Sequence, residues 1–221
     1  HADVVCAHGH KIVAVAARKE SKNINVFADK YNIKSRYSDF KLLLDEQKPD
    51  AVIVCVSWNQ TRKIIKEIIQ YGYPVLVEKP ISLSSKESQE IYDQTIDNTG
   101  KVLVGYNRRF SPHIKKIKSL IDAKAEPKAF ILTMNAGDIP KTHWTQDPEV
   151  GGGRIVGEAC HYIDLMRYLA GSKIKTYNVV KIGENSSLQV TEDKAIISLT
   201  FEDGSIGSIH YLANGGKSFP K

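Results

Sequence analysis

The chain has 221 residues, of which 42% are hydrophobic and 25% charged, and it can bury one large or two small domains. Its net charge of +6 permits a nucleic-acid hypothesis, but acids are interspersed and no basic run contains aromatic residues, so we expect no nucleic-acid partner. No apolar run has the length that spans a bilayer, so we expect no membrane partner. The 3 cysteines have neither C-x-x-C nor metal-ligand spacing, which argues against a metal site and favours a cytoplasmic location.

The first half alternates short apolar runs with amphipathic segments, which is typical of βαβ units and a parallel sheet. Apolar runs predict strands at 11–17, 51–56, 75–77 and 101–106. The spacing predicts a helix at 1–7, before the first strand. Between the strands it predicts one helix through Phe27 and Tyr31, one capped by Ser38, one capped by Asn59 and ended by Gly72, and one over 84–96.

The second half has a different pattern. It begins with a basic amphipathic helix over 112–121 and continues with a strand at 128–135 and a Pro-, Asp- and Gly-rich loop over 137–153. A helix over 155–169 ends at Gly171, and strands follow at 175–181, 188–201 and 205–212, the last two joined by an Asp203-Gly204 turn. We therefore expect an α/β protein: a Rossmann-like parallel-sheet domain at 1–106, then an α+β domain with a largely antiparallel sheet at 107–221.

The stretch Val75-Leu76-Val77-Glu78-Lys79-Pro80 holds the first candidate site. Its apolar part predicts a buried strand, which Pro80 ends because proline cannot donate to the ladder. Glu78 and Lys79 then lie at the carboxyl end of a strand, where open α/β sheets bind their ligands. A half-buried lysine at that position can hold a substrate oxygen. The alternative is a surface lysine after an ordinary strand.

Further motifs follow this stretch in a fixed order. They are the Val-Gly-Tyr-Asn-Arg-Arg-Phe run at 104–110, His143-Trp144, three glycines at 151–153, and His161 with Asp164 on a helix. Together these motifs resemble the glucose-fructose oxidoreductase/inositol dehydrogenase/MocA family of nicotinamide-dependent oxidoreductases. Residues 143–165 look most like a branch in which this module can be fused behind a zinc alcohol-dehydrogenase-like half.

Members of that family open with a glycine-rich dinucleotide-binding turn, which would precede His1. The resemblance therefore implies a chain that lacks this turn, an N-terminally truncated Rossmann-like domain, and a second domain that is incomplete at its C-terminus. Because the pyrophosphate rests on that turn, we expect a chain without it to bind cofactor weakly or not at all and to be inactive if binding is lost.

The resemblance implies that Lys79 and His161 are the catalytic pair. Histidine suits the role of base because its ordinary pKa is about 6.5. Asp164, one turn later, shares a face with His161 and would orient the imidazole; alternatively, the two side chains merely satisfy each other. The family's usual aspartate, four residues before the histidine, is replaced by Gly157. Either Glu158 substitutes for it, the lysine and histidine act alone, or the site is inactive. A glycine inside a helix also indicates close approach of a ligand or backbone.

The resemblance implies NAD or NADP as cofactor. Arg18 follows the strand beside which the adenosine ribose sits, and with Lys19 and Ser21 it favours the 2′-phosphate of NADP, unless the Arg-Lys pair simply faces solvent. The expected cofactor-binding residues are Arg18, Cys55, Ser57, Asn59, Glu78 and Asn107. The expected substrate-binding residues are Arg108, Trp144, Glu158 and Asp164, although Arg108 and Arg109 alternatively form surface salt bridges.

The resemblance leads to a functional expectation. We expect an NAD(P)-dependent oxidoreductase that transfers hydride between nicotinamide and a secondary alcohol or ketone of a sugar, polyol or sugar derivative. The alternative is a non-catalytic relative that senses a cofactor or sugar. The expected partners are a small sugar-like substrate and further copies of the chain, associated through the C-terminal sheet.

Overall fold

A computed structural model describes residues 1–19, 21–97, 101–183, 193–216 and 218 of the chain, and the fold is α/β. The chain forms two compact units, His1–Val52 and Ile53–Lys221. The domain boundary between residues 106 and 107 stays a prediction. Within the described ranges, no helix combines the length and the apolar character needed to cross a membrane.

The first unit contains two short parallel strands and three helices. Its elements are α1 (Ala2–Ala7), β1 (Ala14–Ala16), α2 (Asn23–Lys30), β2 (Ser35–Tyr37) and α3 (Phe40–Gln47). β2 was not predicted, because Ser-Arg-Tyr is not an apolar run. The predicted cap of α3 was wrong by one residue: the Asp39 carboxylate, rather than Ser38, accepts a hydrogen bond from the backbone N–H of Lys41 at 2.8 Å.

Three strands in the order β3-β4-β5 form the next sheet, with β4 and β5 parallel. A helix follows each of the first two strands. The elements are β3 (Val52–Val54), α4 (Trp58–Gln70), β4 (Val75–Val77), α5 (Ser85–Asp97) and β5 (Val102–Val104). Helix α4 buries an isoleucine stripe and is followed by Gly72 at φ +77°, as predicted. However, it begins at Trp58 with Ser57 as its N-cap, so the predicted cap Asn59 lies inside the first turn.

The four-stranded sheet that follows has the strand order β6-β9-β8-β7. β6 pairs with β9 in parallel and the other two pairs are antiparallel, so the prediction of a largely antiparallel sheet is confirmed. Its elements and the helices beside it are α6 (Pro112–Ile121), β6 (Ala129–Asn135), a π-helical turn (Ile155–Ala159), α7 (Cys160–Ala170), β7 (Ile174–Lys181), β8 (Ala195–Phe201) and β9 (Ile206–Leu212). The predicted strand at 188–201 begins at Ala195 as far as it is described, because 188–192 lie outside the described residues.

One face of α7 packs on this sheet and forms the main core. Close approach depends on Gly207 of β9, where an added Cβ would lie 2.0 Å from the Met166 sulfur. The helix is thereby fixed on the sheet, and its N-terminal segment is held in one place. The core residues are Ala159, Tyr162, Met166, Ala170, Ile197, Leu199, Phe201, Ile209, Tyr211 and Ala213.

Candidate active site

Lys79 reaches from the end of β4 to the helix that carries His161. Glu78 continues the sheet by donating its backbone N–H to the Val54 carbonyl at 3.0 Å, and the next residue leaves the sheet. The Lys79 Nζ atom then donates to the backbone carbonyl of Gly157 at 2.8 Å. Gly157 lies in the π-helical turn, a helix irregularity that is frequent at functional sites. This hydrogen bond links the carboxyl end of β4 to the π-helical turn that precedes α7.

His161 lies one turn after Gly157 and is buried, with 9% of its surface exposed. Its Nδ1 atom is enclosed and has no hydrogen-bond partner among the described residues, while the Tyr106 ring meets the imidazole edge-on at 6.0 Å. Burial, followed by the positive charges of Lys79 and Arg108, lowers the pKa of His161 to about 4. The imidazole is therefore neutral at physiological pH and is able to accept a proton.

Asp164 is paired with an arginine and not with His161. Both carboxylate oxygens accept from the Arg109 guanidinium, one of them from Nε at 2.6 Å. The His161 Nδ1 atom has no partner among the residues that the structure describes, so the structure supports neither the expectation that Asp164 orients the imidazole through this atom nor mutual satisfaction of the two side chains there. The physical reason is that two charge-assisted hydrogen bonds to arginine are stronger than one to a neutral imidazole. A direct contact of Asp164 with substrate stays a prediction.

Glu158 is likewise held by other groups. Its carboxylate accepts from the Tyr211 hydroxyl and pairs with Arg154 at 3.4 Å. Arg154 is buried and also donates to the carbonyls of Ala136 and Gly137 at 3.0 and 2.7 Å. Glu158 therefore contacts the sheet, and the interpretation that it replaces the missing carboxylate beside His161 is not supported by these contacts. Its role as a substrate residue stays a prediction.

The space beside Gly157 is filled by an indole. A Cβ added to Gly157 would lie 2.1 Å from both Cζ3 and Cη2 of Trp58. The close neighbour expected from a helical glycine is therefore a side chain, and neither a ligand nor a backbone segment. Trp58 was not predicted as a site residue, and Gly157 within the helix was the only sequence signal that pointed to it. The Lys79 ammonium lies 5.2 Å from the Trp58 ring centroid.

The glycine run at 151–153 positions a second tryptophan. An added Cβ on Gly151 would lie 2.5 Å from the Thr145 Cα atom, so only glycine lets this loop approach so closely. Trp144, one residue earlier, packs edge-to-face on Trp58 with ring centroids 4.7 Å apart. Its side chain remains 47% exposed. The two indoles form an aromatic pair beside Lys79, with Trp144 facing solvent.

The strand ends next to Lys79 carry the residues predicted to bind cofactor. Cys55, Ser57 and Asn59 are exposed around the start of α4, Asn107 is exposed after β5, and Glu78 is half-buried between them. Small side chains and an amide, open to solvent at the carboxyl ends of adjacent strands, fit the nicotinamide end of NAD(P). These residues would hold the nicotinamide beside Lys79.

Two predicted arginines lie in different surroundings. Arg108 lies over the Tyr162 ring, with its guanidinium carbon 4.5 Å from the centroid, and its charge acts on His161. Arg18, in the first unit, is exposed in a turn closed by the Ser21 N–H donating to its carbonyl at 2.9 Å. In the described part of the chain, no cluster of three or more His, Cys, Asp or Glu side chains is arranged to hold a metal ion.

Comparison with known proteins identifies the family. Residues 1–106 match the oxidoreductase family with an NAD-binding Rossmann fold, and residues 117–221 match the C-terminal alpha/beta domain of the same family. The uncharacterized oxidoreductase YrbE of Bacillus subtilis is 30% identical over 202 residues, which are 90% of this chain and 59% of that protein. Myo-inositol 2-dehydrogenase of Thermotoga maritima is 26% identical over 184 residues, which are 82% of this chain and 55% of that protein.

The fold also matches solved structures. Levoglucosan dehydrogenase, solved in complex with NADH and levoglucosan, superposes with a TM-score of 0.81 at 19% identity, covering 94% of this chain and 59% of that one. The chain thus spans between half and three fifths of the length of these three proteins. Because the two family profiles together cover almost the whole chain, it belongs to the glucose-fructose oxidoreductase/inositol dehydrogenase/MocA family of oxidoreductases.

Proposed function

We propose that this protein is an NAD(P)-dependent oxidoreductase that interconverts a secondary alcohol and a ketone on a sugar, polyol or sugar derivative. The observation that carries this proposal is the meeting of Lys79 and His161 at one helix turn. The lysine bonds to the Gly157 carbonyl at 2.8 Å, and its charge is one of those that lower the pKa of His161. Nothing in the described structure favours the non-catalytic alternative.

The two side chains supply complementary chemistry. Oxidation of a secondary alcohol removes a hydride from carbon and a proton from oxygen. A bound nicotinamide supplies the hydride acceptor. The Lys79 ammonium has three N–H bonds, of which one donates to Gly157, so the others are available to hold the substrate oxygen. His161 is neutral and its Nδ1 is enclosed, so Nε2 is the nitrogen that takes the hydroxyl proton. In ketone reduction the same proton returns to the oxygen.

The surroundings support a ring-shaped, polar substrate. Trp144 presents an exposed indole close to Lys79, and an aromatic face suits the apolar face of a sugar or cyclitol ring. Arg108 is half-buried and lies close enough for its charge to act on His161, so the N–H groups at the end of its guanidinium can donate to substrate hydroxyls. The name of the related myo-inositol 2-dehydrogenase and the levoglucosan bound in a protein of the same fold agree with this substrate class.

We propose NADP as the preferred cofactor. The exposed Arg18 and Lys19 follow β1 in a tight turn and supply two positive charges where a 2′-phosphate would need them. The expected result is a higher kcat/KM with NADPH than with NADH in the same ketone reduction. A preference for NADH would contradict this assignment without affecting the assignment of Lys79 and His161.

A substrate panel tests the proposed chemistry. The full-length protein that contains this chain is assayed with sugars and polyols and either cofactor, and Lys79→Ala is expected to lower kcat about 10²- to 10⁴-fold. Lys86→Ala, an exposed lysine on α5, is the matched control and should retain full activity. Activity that survives Lys79→Ala would show that the mechanism is wrong, and absence of turnover on the whole panel with both cofactors would contradict the proposed function.

We propose that copies of the chain associate through the outer face of the C-terminal four-stranded sheet, the face opposite α7. Large apolar side chains are exposed on this face in three strands: Ile131 at 77%, Val180 at 58% and Ile196 at 43% exposure. A monomer rarely leaves so broad an apolar face in water. Ile131→Lys should therefore convert an oligomer into a monomer in light-scattering measurements, whereas Lys175→Glu, an exposed charge exchange on β7, should have little effect. A monomeric wild-type protein would contradict the proposal.

A further inference from the structure

Trp58 and Gly157 form what we call a matched pair, because the Trp58 indole fits against residue 157 only when that residue has no side chain. Trp58 is the first residue of α4, and its indole fills the volume in which any side chain of residue 157 would lie. The separation of 2.1 Å between an added Cβ and two ring carbons is far below the 3.0 Å that real Cβ atoms respect. A side chain at 157 therefore requires the indole to move. The absence of the usual aspartate is explained by the ring that occupies its place.

The same ring contacts the Lys79 ammonium. Nζ lies 5.2 Å from the Trp58 ring centroid, within the range of a cation–π interaction, and donates to the Gly157 carbonyl at 2.8 Å. Within the described ranges, Lys79 forms no ion pair. Two neutral groups thus hold the ammonium. A positive charge fixed in this way is suited to stabilise negative charge that develops on a substrate oxygen.

Trp58 is itself held in place. Trp144 packs edge-to-face on it at 4.7 Å, and the Trp144–Thr145 backbone is pressed against Gly151, where no Cβ fits. The Trp58 indole is therefore held in two ways. It packs directly against Gly157, and it packs against Trp144, whose backbone contacts Gly151. Such an arrangement is suited to fixing a neighbouring group, because the ring cannot rotate away without displacing Trp144.

We propose that Trp58 is a positioning residue: its indole takes the place of a side chain at residue 157 and holds the Lys79 ammonium against the Gly157 carbonyl. This inference rests on the proposed function for the catalytic role of Lys79, but the position of the ammonium can be measured without turnover. Trp58 acts through Lys79 and is not assigned a contact with the reacting atoms.

The first test compares Trp58→Leu with Trp58→Phe, which keeps an aromatic face. The rate at which acetic anhydride modifies Lys79 is followed by mass spectrometry in the absence of cofactor and substrate, with Lys86 as internal reference. Trp58→Leu should raise this rate about 5-fold and lower kcat about 5- to 30-fold with little change in KM, the size of a desolvated cation–π interaction. Trp58→Phe should restore both quantities to within about 2-fold to 3-fold of the wild type. Equal behaviour of the two variants would overturn the proposal.

The second test is a double-mutant cycle on thermal stability. Gly157→Ala should lower the Tm by several degrees in the wild-type background and by much less in the Trp58→Leu background, because the clash is then removed. Additive effects of the two substitutions would overturn the matched pair. If no substrate is turned over, the proposed function fails, while the modification rates and this cycle still decide the role of Trp58.

Discussion

The helical segment from Arg154 to Ala170 carries two kinds of polar side chain. Glu158 and Asp164 each have an arginine partner: Arg154 lies one turn away on the same segment, and Arg109 comes from the turn after β5. His161 lies between them and is buried to a similar degree as Asp164, yet its Nδ1 atom has no partner in the described part of the chain. Within the described ranges, neighbouring side chains on one helix therefore differ: the two carboxylates are hydrogen-bonded, and the imidazole Nδ1 atom is not.

This difference agrees with the roles proposed for the three side chains. A buried charge that is paired contributes to a defined packing arrangement, whereas a buried polar atom without a partner costs about 1–3 kcal/mol. Such a cost is tolerated where the group is needed for chemistry, and perturbed, incompletely satisfied groups cluster at active sites. We therefore propose that the two carboxylates mainly support the fold and that His161 acts in the reaction.

Replacing His161 is expected to have the largest effect and tests its proposed difference from Glu158 and Asp164 most directly. His161→Asn should lower kcat for alcohol oxidation about 10²- to 10⁴-fold, because a general base contributes rate accelerations of that size. The Tm at neutral pH should change little, because no protein hydrogen bond to Nδ1 is lost. Steady-state kinetics and thermal melts measure the two effects. His113→Asn, at an exposed histidine on α6, is the control for loss of an imidazole. A large loss of stability with unchanged kcat would place His161 with the structural groups.

Much of this architecture could be predicted because the signals are local. Helix α6 has the predicted bounds, since Pro112 is favourable at a first helical position and an amphipathic stretch follows it. The helix end at Gly171, with φ +73°, and the Asp203-Gly204 turn were predicted for the same reason. Lys79 and His161 were recognised through the ordered set of motifs, and their closeness in space could only be inferred.

What the sequence did not reveal depends on distant partners. The pairing of Asp164 with Arg109 joins two segments far apart in the chain, and helical spacing pointed instead to the nearer His161. The unusual Gly157 was noticed, but its neighbour Trp58 belongs to another helix and no periodic pattern links the two. Tertiary packing therefore decided which of several permitted local contacts formed.

Removal of the Asp164 charge tests the structural side of the comparison. Asp164→Asn leaves the Arg109 guanidinium without its counter-charge and should lower the free energy of unfolding by about 2–4 kcal/mol. The lower end is expected because the Arg109 side chain is 29% exposed. Urea unfolding followed by circular dichroism measures the loss, and adding Arg109→Met to the same protein should recover part of it. If stability is retained and KM rises instead, Asp164 contacts substrate, as its sequence position suggested.

The pH dependence of stability distinguishes the buried histidine from its charged neighbours. The pKa of His161 is about 4 in the folded protein and about 6.5 in an unfolded chain, so the unfolded state binds more protons between these values. This stabilising contribution is complete above pH 6.5 and is lost as the pH falls through the folded-state pKa. From about pH 7.5 to about pH 5 the wild type should therefore lose roughly 2 kcal/mol more than His161→Asn. Parallel curves for the two proteins, from urea unfolding at each pH, would mean that the imidazole is solvated, and the contrast with Glu158 and Asp164 would no longer identify the base.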